Sequence, residues 1–191
     1  MIVKKLVASL VFMGAFGASM AHANTQSDDF NKGMELHVQY KYYEALAHFK
    51  QGAESGDVRS QALYSMYLEK GIQVEQDLNS ARTWMEKAAN SGYAHAQYSL
   101  GMMLNKDPIV AKYGVVLTPE PKESTKWLMA ASMNNYPLAM LELGKHYYKG
   151  YGVKQDKKEA LKWISLACMS SVADACTYKK KLANELKAGA K

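Results

Sequence analysis

From about residue 40 onward the apolar positions of the chain fall at steps of three and four, in short runs separated by polar, glycine-bearing breaks. Ala160, Trp163, Ile164 and Ala167 occupy positions i, i+3, i+4 and i+7, and Ala81, Trp84, Met85 and Ala88 repeat the same set. That spacing gathers four apolar side chains on one face of an α-helix. Each such run is followed by a second one. "AHAQYSLGMMLN" and "PLAMLELGKHYYKG" put Ala96 and Ala139, Leu100 and Leu143, then Gly101 and Gly144 at matched places. The pattern predicts helix pairs joined by tight turns, and the small residues at 101 and 144 predict a close approach of the two helices within each pair.

The pairs recur along the chain. "KGIQVEQDLNSARTWMEKAANSG" over 70–92 and "KGYGVKQDKKEALKWISLACMSS" over 149–171 match at nearly every structural position. Ala45, Ala81, Ser124 and Ala160 mark equivalent points 36, 43 and 36 residues apart. The longer middle interval holds its seven extra residues in "NKDPIVAKYGVVLTPEP", a loop punctuated by proline and glycine in which Leu117 and Glu120 take the places of Val74 and Asp77. The expected architecture is all-α: a solenoid of stacked antiparallel helix pairs, with four units over about 40–76, 77–119, 120–156 and 157–187 and a basic tail to residue 191. A lone capping helix over 24–39 precedes them, with Phe30, Met34 and Val38 expected to face inward.

The elements A-x-x-W, A-A, a glycine, an alanine four residues later, L-G, and G-x-G-V-x-x-D resemble the Sel-one-like repeat, a relative of the tetratricopeptide repeat. The resemblance spans roughly residues 40 to 187. It departs from the pattern near the ends, where His48 stands in line with Trp84, Trp127 and Trp163, Ser60 replaces Ala96, and Ser171 replaces Gly56 or Gly92. Such a family implies a stacked helical superhelix that works by holding another protein. Some secreted relatives act as immunity proteins against a toxin. Weak penicillin binding or hydrolysis has been attached to others.

Composition and the N-terminus bear on compartment. The chain has 191 residues, 48% hydrophobic and 22% charged, enough for a real core and too apolar for disorder. It opens with Lys4 and Lys5, an apolar run from Leu6 to about Phe16, and small residues ending in Ala21-His22-Ala23. That order is the one of a secretory signal peptide over 1–23, with the mature chain expected to begin at Asn24 in the periplasm. No other apolar run approaches the length of a membrane-spanning helix, so no transmembrane segment is expected after cleavage. Losing Lys4 and Lys5 lowers the formal charge from +6 to +4. The remaining charges are scattered, which argues against nucleic acid as a partner.

Both cysteines lie in "LACMSSVADAC", as Cys168 and Cys176, at the end of a first helix and the first turn of its partner. The same two places hold Ala53/Gln61, Ala89/Gln97 and Ser132/Met140 in the other units, so the pair meets across a helical turn. A zinc site wants four ligands at shorter spacing, and a redox couple wants C-x-x-C, so a structural disulfide in an oxidising compartment is expected. Some cysteine-rich secreted members of the resembled family pair cysteines at this same interval.

Chemistry is otherwise sparse. "KGYGVKQD" lacks both the spacing and the strand of a phosphate loop, and Gly152 reads as a backbone turn. No G-x-S-x-G, H-E-x-x-H or S-x-x-K occurs. His37, His48, His95 and His146 lie in different units without acidic partners at a useful spacing, and the periodic tryptophans read as core. No catalytic residue, metal or cofactor is assigned. The expectation is a non-enzymatic periplasmic adaptor, with an immunity protein or a weak β-lactam-binding protein as alternatives. Its candidate partner-binding face comes from residues two, five and nine after each marker. These are unremarkable in the first two units (Ala47, Lys50, Glu54; Thr83, Glu86, Asn90) but become Lys126, Met129, Met133 and Lys162, Ser165, Met169 in the last two. Methionine suits adaptable binding surfaces, and the partner expected there is another protein.

Overall fold

The computed structural model describes residues 28–105, 109–110 and 116–188, so the signal peptide expected over 1–23 lies outside the described residues. Among the described residues nine helices run in sequence order. They are α1 over 28–38, α2 Tyr42–Glu54, α3 Val58–Lys70, α4 Leu78–Asn90, α5 Ala94–Asn105, α6 Pro121–Met133, α7 Pro137–Lys149, α8 Lys157–Met169 and α9 Ala173–Ala188. From α2 onward each helix packs on the one before and the one after it, so the chain stacks into an all-α solenoid. The long middle loop contains one short exception: β1 Ile109–Val110 pairs antiparallel with β2 Val116–Leu117.

Backbone devices repeat with the units. Asp57, Asp77 and Asp156 cap α3, α4 and α8, each accepting backbone N–H bonds from the first turn of its helix. Their counterpart Glu120 makes no such cap. The backbone N–H of Asp77, Glu120 and Asp156 also reaches back to the carbonyl of Leu68, Leu104 and Tyr147, tying each unit to the last turn of the one before. The turns inside the pairs pass through a left-handed residue at one equivalent place: Gly56, Gly92, Asn135 and Ser171. Ser171 thus takes the same conformation as the glycines it replaces.

The core is a chain of clusters along the stack. Phe49 and Tyr67 centre the first, Ala88 and Leu100 the second, Leu128 and Leu143 the third, and Ile164 and Leu182 the last. The close approaches at Gly101 and Gly144 fall elsewhere than the sequence predicts. A Cβ at Gly101 would stand 2.9 Å from Leu128 of α6, and one at Gly144 would stand 2.5 Å from Ile164 of α8. These glycines therefore serve the joint between successive pairs, not the contact within a pair. Ser65, at the same place in α3, uses its hydroxyl to bond the Ala81 carbonyl at 2.6 Å, and Ser124 returns the bond from the other side to the Gly101 carbonyl at 2.7 Å. In α9 the buried Leu-Gly pair of α5 and α7 is replaced by Lys179-Lys180, and Lys180 is exposed.

A further expectation is corrected. In α1 Val38 points to solvent at 68% exposure; Gly33 and Leu36 face inward instead, with Phe30 and Met34 half-buried. Gly33 lies against the Phe49 ring, which sets the turning angle of the helix and swings position 38 outward. The tryptophans are half-buried at the edge of the core: Trp127 packs on the Ala88 and Leu100 cluster and Trp163 on the two clusters that follow it. Trp84 lies edge-on to Tyr64, and a lysine sits over each ring: Lys87 over Trp84, Lys126 over Trp127 and Lys162 over Trp163. His48 stands in their line because that flank of the first unit meets α1, where its Nδ1 lies 2.9 Å from Asp29.

The disulfide joins Cys168 to Cys176, with Cα atoms 4.7 Å apart. In the first two units the same span is closed by a weaker link. Gln61 and Gln97 each donate a side-chain bond at 3.3 Å to the carbonyls of Ala53 and Ala89. A covalent link thus replaces a hydrogen bond in the unit that, among the described residues, packs on one neighbouring unit. Changing both cysteines to serine should lower the stability of the last unit by about 1–3 kcal/mol. Hydrogen exchange should speed up in α8 and α9 while α2 to α5 stay protected, because repeat stability is close to a sum of local terms.

Candidate protein-binding face

The candidate face is carried by α6 and α8. Each buries one stripe (Ser124, Leu128 and Ala131; Ala160, Ile164 and Ala167) and turns another outward. Met133 and Met169 sit at equivalent places in the last turn of the two helices, 72% and 77% exposed. Neither has the packing its apolar surface would gain in a core. Lys126 and Lys162 begin the same rows, both exposed, and each pairs with a glutamate three residues before it, Glu123 at 3.2 Å and Glu159 at 2.9 Å. Met129 does not belong with them. It is half-buried and packs against the Leu128 and Leu143 cluster. Ser165 is likewise half-buried.

The corresponding rows of α2 and α4 are polar. Lys50 pairs loosely with Glu54 at 3.9 Å, and Glu86 accepts a bond from Arg82 Nε at 2.7 Å. Arg82 also grips both carboxylate oxygens of Glu120, at the start of α6. This fork holds Glu120 below the usual carboxylate range and raises the guanidinium in turn. Arg82 thus bridges the second and third units across the long middle loop, and explains why Glu120 is not spent on a helix cap.

The histidines are structural ties. His37 Nδ1 meets the Tyr67 hydroxyl at 2.7 Å, and burial pushes that phenol up to about 12. His48 does have an acidic partner, Asp29, contrary to the sequence reading, because α1 folds back over α2; the pair fastens the two helices together. His95 lies between the Tyr93 and Tyr136 rings, and burial lowers its pKa. His146 is buried to 3% exposure with Nδ1 2.7 Å from Thr125 Oγ1, while its Nε2 has no partner. Burial pushes it down to about 4, so it is neutral. Its place in the repeat is that of Tyr67, Met103 and Leu182, all buried, which is the signal that could have marked it as core. Among the described residues no group of three or more metal-ligating side chains comes together, and no helix is long and apolar enough to cross a membrane.

Stacked helix pairs with small residues at each joint, and outward rows on alternate helices, define a helical-repeat interaction scaffold. The Sel1 repeat model matches residues 36–57, 58–93, 94–110 and 137–172, and the chain belongs to that family, whose members mediate protein–protein interaction. The unmatched stretch between 110 and 137 holds β2 and α6, although α6 occupies the same structural place as α4 and α8. Among solved structures, a Sel1 repeat protein from Oxalobacter formigenes superposes with a TM-score of 0.69 at 27% identity, covering 78% of this chain and 59% of its own. A protective antigen of uropathogenic Escherichia coli with the same repeat fold gives 0.70 at 24%, covering 83% and 33%. Cysteine-rich protein B of Helicobacter pylori gives 0.53 at 21%, covering 71% and 96%. The chain thus spans less than two thirds of the length of the first two. No curated protein sequence matches it closely enough to carry an argument.

Proposed function

We propose that the protein is a non-enzymatic scaffold of the periplasm that holds another protein against the outward rows of α6 and α8. The observation that carries this reading is the paired exposure of Met133 and Met169 at equivalent places on alternate helices. A large apolar side chain left in water gains by burial against a partner, and unbranched methionine adapts to the surface it meets. Lys126 and Lys162 frame the methionines and favour a partner with carboxylates nearby. The disulfide supports an oxidising compartment, in keeping with the signal-like N-terminus.

A photoreactive amino acid placed at 133 or 169 in intact cells should give a discrete cross-linked species, and one at Asn90, the matching exposed place in α4, should not. The double change Met133→Ser and Met169→Ser should weaken capture with the melting temperature unmoved, since neither side chain is packed. Identical patterns from positions 90, 133 and 169 would refute this face. Met129→Ser should instead lower stability by about 1–3 kcal/mol, because its side chain lies against the core.

A further inference from the structure

A cavity of about 200 Å³ opens between α7 and α9, with α8 behind it. Ile164 and Leu182 form its apolar floor, the rings of Tyr148 and Tyr178 line it, and Lys145, Lys149, Lys181 and Glu185 stand around it. The charges around it are unevenly matched. Lys145 is already paired with Glu142 at 2.8 Å and lies 5.1 Å over the Tyr178 ring. Glu185 accepts the Tyr148 hydroxyl at 3.0 Å and faces Lys157 at 3.5 Å. Lys149 and Lys181 are exposed and form no ion pair among the described residues. Lys149 has lysines at its matching places, Lys70 and Lys106, but the place shared by Lys145 and Lys181 is held by Met66 and Met102 in the first two units, so two cationic rows come together only at this end of the stack.

We propose that this cavity is a second recognition site, distinct from the α6 and α8 rows, and that it takes a peptide segment bearing one apolar or aromatic side chain beside a carboxylate. The volume suits a single leucine- or phenylalanine-sized group, which the floor and the two tyrosine rings would cover. Lys149 and Lys181, both lacking a carboxylate, would receive the negative charge. A neutral apolar peptide would leave the two ammonium groups unanswered, and a purely acidic one would leave the floor wet. The fit therefore asks for both features in one segment.

The test uses the purified full-length mature protein and fluorescein-labelled Ser-Gly-Asp-Glu-Glu-Leu-Phe with a free C-terminus, followed by fluorescence anisotropy. Affinity should fall by about tenfold or more for the analogue with Gln and Asn in place of the acids, and again for the analogue ending in Gly-Gly. It should also fall steeply with added salt. The charge reversal Lys149→Glu with Lys181→Glu should abolish binding while circular dichroism and melting temperature stay unchanged, because both side chains are exposed. The Met133→Ser, Met169→Ser protein should bind the peptide like the parent, which separates this site from the other face. Equal affinity for acidic and neutral peptides, no binding of the acidic one, or indifference to the lysine reversal would overturn the proposal.

Discussion

Replacing Gly152 by alanine should destabilise the third and fourth units by about 3 kcal/mol, the sum of a left-handed backbone and a collision that cannot be relieved by a side-chain rotation. Gly152 has φ +69°, and a Cβ there would run into the backbone carbonyl of Pro121 at the start of α6. The same turn also delivers the Tyr151 carbonyl to Thr125 Oγ1 at 3.0 Å, so the variant disturbs the tie that fixes the loop before α8. Denaturant unfolding followed by hydrogen exchange should locate the loss in α6 to α8. The equivalent place two units earlier holds Gln73, at φ +56°. Gln73→Gly should therefore act in the opposite sense, raising stability by about 0.5–1 kcal/mol. A Gly152→Ala protein as stable as the parent would show that this turn is freer than its packing implies.

Acid should weaken the same joint through His146. Its folded pKa is pushed down to about 4 from an ordinary 6.5, first by burial, with Lys149 adding to the shift and Glu142 opposing it. The unfolded chain therefore takes up the proton first. Stability from this group is fully present above pH 6.5 and is lost as pH falls toward 4, by about 3 kcal/mol over the whole interval. His146→Leu, which copies Leu182 at the matching place in α9, should remove that slope while Thr125 keeps its bond to the Pro121 carbonyl at 2.9 Å. Melting temperatures of the two proteins between pH 7 and 4.5 should diverge steadily, with the parent falling faster. Parallel curves would show that His146 is not the group that titrates.

Much of the fold was legible because repetition supplies its own alignment. The 36-residue interval, the three-and-four spacing of Ala160, Trp163, Ile164 and Ala167, and the aspartates before α4 and α8 are all local signals, and each unit corroborates the others. What stayed hidden depends on which neighbour a side chain meets. A glycine at 101 or 144 announces a close approach, but α5 and α7 each touch two helices, and the sequence does not say which one comes near. Met129 and Met133 differ by one turn plus about forty degrees, enough to carry the first onto the edge of the Leu128 cluster and leave the second in water. The tryptophans recur with the period, yet periodicity is shared by core and flank. The α7 and α9 cavity could not be read at all, since its lining is spread from Lys145 to Glu185 over three helices.

The Lys179-Lys180 pair of α9 has a consequence for assembly. Each joint in the stack presents a small residue to the next helix, and a molecule carrying that feature on its last face would be a monomer in the polymer chemist's sense, able to add copies at one end. A lysine at 180 makes that end a chain stopper. Its Cβ alone would collide with the residue corresponding to Ile164, and its ammonium would have to be stripped of water to allow docking. The opposite face is closed by α1, fastened through Asp29 and His48. Lys180 thus denies α9 the small-residue seam that joins one unit of the stack to the next.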